Sequence, residues 1–179
     1  MSIAAGAAYW GLVPYTPEAP FLVHVAGGEP VEVPGVESFV EGLGRGGDAE
    51  FRFVVRAKTR PVLLLSDRQD ERTGDLFALR LLRMERLSAA EQAAVRDHRE
   101  PTLFHLRVDN FPGLSRESAA VVSAPVRLHN TALDTRRRVG ALDENELRVL
   151  HERFATYWRL DLHQLLLGKI EELRRRVNP

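Results

Sequence analysis

The sequence predicts an α+β protein, a single domain with strands in its middle and helices at its end. Three observations carry this. Between residues 50 and 130 short apolar runs alternate with polar turns, as in successive strands. Ser88 stands three residues before Glu91, the capping-box pattern that starts a helix. From Asp143 to the end, apolar residues recur at helical spacing.

The elements follow in order. Residues 8–15 read as a short strand closed by Pro14, and residues 20–25 as another ending at Gly27-Gly28. Val36, Phe39, Val40 and Leu43 have the spacing of a short amphipathic helix, which Gly44-Arg45-Gly46-Gly47 stops. Residues 50–56 alternate as a half-buried strand should. Residues 60–66 form a continuous apolar run after Pro61, which predicts a strand buried on both faces. A polar loop from Asp67 to Asp75 leads into a third strand over 76–84. After the Ser88 helix, which runs to His98, strands are predicted at 102–108 and 118–128, with a turn at 109–113 between them. Asp143 caps the next helix, with Glu144 and Glu146 placed favourably against its N-terminal dipole. Leu147, Leu150, Phe154 and Tyr157 fall on one face of it. A second helix from Asp161 carries Leu162, Leu165, Leu166, Ile170, Leu173 and Val177, and Arg174-Arg175-Arg176 suits its C-terminal end.

Composition narrows the classes of function. The 179 residues are 44% hydrophobic and 28% charged, ordinary for a globular chain. There is no cysteine, which excludes a disulfide scaffold, a thiol nucleophile and thiolate-bound zinc, and fits a reducing compartment. The apolar N-terminus has no Lys or Arg before Pro14, so it does not read as a signal peptide. No stretch reaches the roughly 18 uncharged apolar residues of a membrane span. A cytoplasmic protein without membrane contact is the expectation. Net charge is zero, yet residues 1–50 hold one Lys/Arg against seven Asp/Glu, and residues 51–86 hold nine against five. An acidic first segment therefore precedes a basic middle.

Several blocks, in this order, resemble the MazF/PemK family. They are Lys58-Thr59-Arg60-Pro61-Val62-Leu63-Leu64-Leu65-Ser66, then residues 114–122, then Val126-Arg127-Leu128, then Gly140-Ala141-Leu142-Asp143-Glu144-Asn145-Glu146-Leu147. The resemblance covers roughly residues 50–160. It implies an SH3-like antiparallel β-barrel with short inserted helices and C-terminal helices. It further implies a toxin-type endoribonuclease that cleaves single-stranded RNA without a metal or other cofactor, as a homodimer paired with a small acidic antitoxin. Residues 1–49 would then be an acidic segment packed on the barrel, and residues 161–179 a C-terminal helical extension. The chain departs from the family in three places. The stretch between Trp10 and Arg60 is long, Ala124-Pro125 replaces a family acidic-Gln pair, and the strand over 76–84 ends in Arg83-Met84-Glu85-Arg86 where the family has a Thr or Ser.

Metal-free RNA cleavage needs a base for the 2′-hydroxyl proton, a cation for the charge on phosphorus, and an acid for the leaving 5′-oxygen. By the resemblance Arg60 is the catalytic charge stabiliser. Arg83 is the second catalytic candidate, replacing the missing hydroxyl if it faces the groove. Arg56, Lys58, Arg80, Arg86 and Arg127 are the RNA-binding candidates. Their plainer reading is a solvated edge with ordinary salt bridges. Even spacing puts Arg80 and Arg86 on one face of an ideal strand and Arg83 on the other. Arg136-Arg137-Arg138, in a loop before Gly140, is a further possible backbone contact. The histidines show no metal-ligand spacing, and His105 and His129, on the strands flanking the Asn110 turn, are the two that this spacing brings nearest to the site. The rival function is a barrel that has lost its chemistry and serves as a protein- or nucleic-acid-binding module.

Overall fold

The computed structural model describes residues 3–24, 28–40 and 52–160. The predicted helix from Asp161, the glycine-rich stop at 44–47 and the end of the helix over 36–43 lie outside them. The chain divides into two compact units, Met1–Gly11 with Arg60–Pro179, and Leu12–Thr59.

The larger unit is built on a six-stranded sheet. Its strands are β1 (Ala7–Pro14), β4 (Ala57–Leu64), β5 (Asp75–Arg83), β6 (Leu103–Leu106), β7 (Ser118–His129) and β8 (Leu133–Ala141). They lie in the order β6-β7-β5-β4-β1-β8. The pairs β1–β8, β4–β5, β5–β7 and β6–β7 are antiparallel. The α+β class holds, but β6 and β8 are the two edges of the sheet and it does not close into a barrel.

The apolar run after Pro61 lands in the middle of this sheet. Val62, Leu63 and Leu64 are fully buried, as a strand covered on both faces requires. On one face Leu63, Leu79, Phe104, Ala120 and Val122 join the main core, closed over by helix α3 (Glu144–Tyr157) through Leu147, Leu150 and Phe154. On the other face Leu82, Leu103, Ala119 and Val121 pack with Met84 and Val95 under helix α2 (Ala89–Arg96). Both helices start as predicted. Ser88 accepts from Glu91 N–H and Asp143 from Glu146 N–H, and each glutamate reaches back to its cap.

Arg153 of α3 holds the α2–β6 connection. Its guanidinium donates to the carbonyls of Leu103 at 2.8 Å, His98 at 3.0 Å and Glu100 at 3.3 Å, and lies over the Phe104 ring. Burial lowers its pKa from the usual arginine value. Gly140 of β8 admits the turn at 108–113, since a Cβ there would stand 2.3 Å from the Asn110 carbonyl oxygen.

Two sequence expectations fail. Arg136-Arg137-Arg138, read as a loop before Gly140, lie in strand β8, paired with β1. Three consecutive arginines mask strand alternation, and only the partner strand reveals it. Residues 52–56 make one isolated bridge, Phe53 to Val23, rather than a continuous strand.

The smaller unit contains the antiparallel pair β2 (Phe21–Val23) and β3 (Val31–Val33), with the short helix α1 (Glu37–Val40). Phe21, Phe39 and Phe53 meet as three tilted or edge-on rings with centroids 5.7–5.8 Å apart.

Candidate functional site

The centre of the sheet places two guanidinium groups on one face. Arg80 of β5 lies directly opposite Val62 of β4, and Arg60 is two residues before Val62 on the same strand. Side chains alternate along a strand, so Arg60 and Arg80 project from one face as diagonal neighbours, about 7 Å apart at the backbone. Both residues are half-buried. The Arg80 Nε is shut off from solvent and has no hydrogen-bond partner among the described residues. A buried donor left without an acceptor is unfavourable by about 1–3 kcal/mol, and an anion on this face would relieve it.

β7 is irregular beside Arg80. Leu79 pairs with Pro125 and Leu81 with Ala120, so the single residue Arg80 faces the four residues Val121–Ala124. Such bulges re-aim side chains and interrupt pairing. The bulge is pinned from two sides. Val122 N–H donates to the Thr102 carbonyl at 2.8 Å, and Trp158 Nε1 donates to the Val122 carbonyl at 3.0 Å.

The other candidates are distributed differently. Alternation puts Arg83 on the side of Leu81 rather than of Arg80, and it pairs with Glu85 at 3.6 Å. β5 ends at Arg83 and Arg86 sits in the 3-10 turn Met84–Arg86, so the even spacing from Arg80 does not carry to it. Arg127, exposed on β7, donates to Asp75 at 2.5 Å and to Thr73 at 3.1 Å. Arg56 is exposed in the smaller unit, and Lys58 is exposed at the start of β4. Arg136, Arg137 and Arg138 are exposed on β8, an edge strand.

His105 and His129 are not brought together. His129 closes β7 opposite Asp75 and bonds Thr131 through Nδ1 at 2.7 Å. His105, on β6, bonds Glu117 through Nε2 at 2.7 Å. Glu117 also receives a bidentate fork from Arg96 of α2, at 2.9 and 2.6 Å. The Arg96 bonds, then the His105 bond, hold the Glu117 carboxyl down at about 2, and Glu117 in turn raises the Arg96 pKa. Nothing in the sequence marks this cluster, whose members come from α2, β6 and the residue before β7.

No protein-family model matches the chain, and no curated protein matches it.

Among the described residues, no group of three or more His, Cys, Asp or Glu side chains is arranged to hold a metal ion. No helix among them is long and apolar enough to cross a membrane. The arrangement that bears on chemistry is the Arg60–Arg80 face, which carries guanidinium groups from two neighbouring strands.

Proposed function

We propose that this chain is a toxin-type endoribonuclease of the MazF/PemK kind, cleaving single-stranded RNA on the face that carries Arg60 and Arg80. The single observation behind this reading is the juxtaposition of those two half-buried guanidiniums, with the Arg80 Nε awaiting an acceptor. On this reading the open six-stranded sheet is a divergent form of the family's SH3-like barrel. The chain works as a cytoplasmic homodimer and is held in check by a small acidic antitoxin.

The reaction is an internal transesterification. The 2′-oxygen forms a bond to the adjacent phosphorus and the bond to the 5′-oxygen breaks, leaving a 2′,3′-cyclic phosphate and a 5′-hydroxyl. The 2′-hydroxyl proton leaves to a base and a proton reaches the departing 5′-oxygen. Arg60 and Arg80 stabilise the charge that builds on the phosphoryl oxygens between these events. No metal takes part.

The test is cleavage of a mixed-sequence single-stranded RNA by the full chain in the presence of a chelator. Wild type should cleave, and Arg60→Ala should be slower by about 10²-fold, as when a charge-stabilising donor is removed. Equal rates for the two would move the chemistry elsewhere. A second reading is a non-catalytic nucleic-acid-binding module. It is favoured by the end of β5, where no hydroxyl follows Arg83 before Ser88, and Ser88 is committed to capping α2. Binding of RNA without cleavage would select it.

A further inference from the structure

The arginine run at 136–138 sits where the edge strand β8 leaves its ladder. Tyr9 of β1 pairs with Arg138 and the next residue, Trp10, pairs with Asp134, so residues 135–137 have no partner on β1. Asp134 shapes this bulge. Its Oδ1 accepts the Arg136 N–H at 3.2 Å, an Asx turn, and its Oδ2 stands 3.5 Å from the Arg137 Nε. All three arginines are exposed. Arg136 and Arg138 make no ion pair among the described residues.

The geometry of the edge decides which partner suits the run. A strand from another chain adds to a free edge where backbone groups continue in register. Here the bulge breaks the edge at 135–137. Beyond it the Val139 carbonyl already accepts the Gly113 N–H at 2.8 Å, and the turn at 108–113 closes over Gly140. A second copy paired through β8 would set arginine against arginine. The edge therefore offers side chains rather than a backbone ladder. Exposed guanidiniums suit phosphates, which they bind by charge and by parallel N–H bonds with no demand for a regular strand. Only β1 separates β8 from β4, the strand that carries Arg60.

We propose that the β8 bulge is a second RNA contact, in which Arg136 and Arg138 each hold one backbone phosphate outside the phosphodiester that reacts. This rests on the reading of the chain as an RNA-cleaving protein. The contact reads no base. It adds affinity by releasing counterions and leaves the chemical step to the Arg60–Arg80 face.

The experiment measures binding by the full chain, across a salt series, of a short mixed-sequence RNA methylated at every 2′-oxygen, which has no nucleophile and stays intact. Replacing both residues, Arg136→Ala with Arg138→Ala, should weaken binding about fivefold to tenfold at low salt, as the loss of two exposed charge contacts does. The slope of log affinity against log salt should become shallower by about 1.4, at about 0.7 per phosphate on a single strand. Arg136→Lys with Arg138→Lys should keep the wild-type slope, because lysine holds a phosphate as a point charge. Arg99→Ala with Arg148→Ala removes the same charge from exposed ion pairs elsewhere in the larger unit and should also leave the slope unchanged. A wild-type slope in the first double variant would overturn the β8 contact and leave the RNA reading standing. An equal loss of slope in the Arg99 and Arg148 variant would overturn it too, since overall charge would then account for the effect. No binding by wild type at any salt would overturn the RNA reading and this inference together.

Discussion

Two sets of arginines in the larger unit are placed differently in the fold. Arg96, Arg116, Arg127 and Arg153 are each engaged by groups of their own chain. Arg96 forks onto Glu117, Arg116 meets Glu85, Arg127 meets Asp75, and Arg153 bonds three carbonyls. Arg80 stands mid-sheet, with its Nε buried and unmatched among the described residues, beside Arg60 on the next strand. The first group ties elements together: α2 and the 3-10 turn to the two residues before β7, β7 to β5, and α3 to the α2–β6 connection. The second lies on strands the backbone ladder already holds, so its charge is not needed to assemble the sheet. Composition alone cannot separate the two uses.

The comparison is tested most strongly by substituting one member of each group. Arg80→Ala should lower RNA cleavage by about 10²-fold. Arg116→Ala, which removes an exposed ion pair worth at most about 1 kcal/mol, should leave cleavage within about threefold of wild type. Single-turnover rates on one RNA substrate check both, and similar losses in the two variants would erase the distinction between the groups.

A smaller effect sharpens the structural side. Glu117 ionises at about 2 in the folded chain, well below its value of 4.5 when free. The unfolded chain therefore takes up a proton at this carboxyl before the folded one does. The stability Glu117 contributes is present above about pH 4.5 and is lost as pH falls toward 2, amounting to on the order of 2 kcal/mol. Unfolding measured by denaturant across that range should show the loss. Glu117→Gln should start less stable near neutral pH and show a flatter acid limb, and an unchanged acid limb in that variant would assign the loss to other carboxyls.

The smallest effect concerns the helix ends. α2 and α3 both close with a pair of bonds from the two residues after the cap: His98 N–H to Val95 O and Arg99 N–H to Ala94 O, then Arg159 N–H to Thr156 O and Leu160 N–H to Ala155 O. This closure puts the first of the pair at positive φ, 58° for His98 and 52° for Arg159, where glycine is ordinarily found. Arg159 is exposed and Arg153 already bonds the His98 carbonyl, so Arg159→Gly is the cleaner change. It should stabilise the chain by about 0.5–1 kcal/mol, read as a higher thermal midpoint.

Much of the fold was legible because local chemistry encodes it. The caps at Ser88 and Asp143 fix where α2 and α3 begin, and the apolar run at 62–64, bounded by Pro61 and a polar loop, reads as a strand covered on both sides. β8 was not legible, because Asp134 and Arg136-Arg137-Arg138 give no alternation and the strand forms by pairing with β1, more than a hundred residues earlier. For the site, the basic middle of the chain was visible but its sorting was not. Arg86 shared a face with Arg80 by even spacing until β5 ended at Arg83.

By itself the sequence determined an α+β chain with two capped helices, a central buried strand and an excess of positive charge between residues 51 and 86. These follow from spacing of a few residues, which short-range sterics and hydrogen bonding turn into local structure. Only the tertiary structure decided that Arg60 and Arg80 share a face, that a four-residue bulge opposes Arg80, and that Glu117 gathers Arg96 and His105. Those facts depend on strand register and on contacts between distant segments. A shift of one residue in the register of β5 would turn Arg80 to the opposite face.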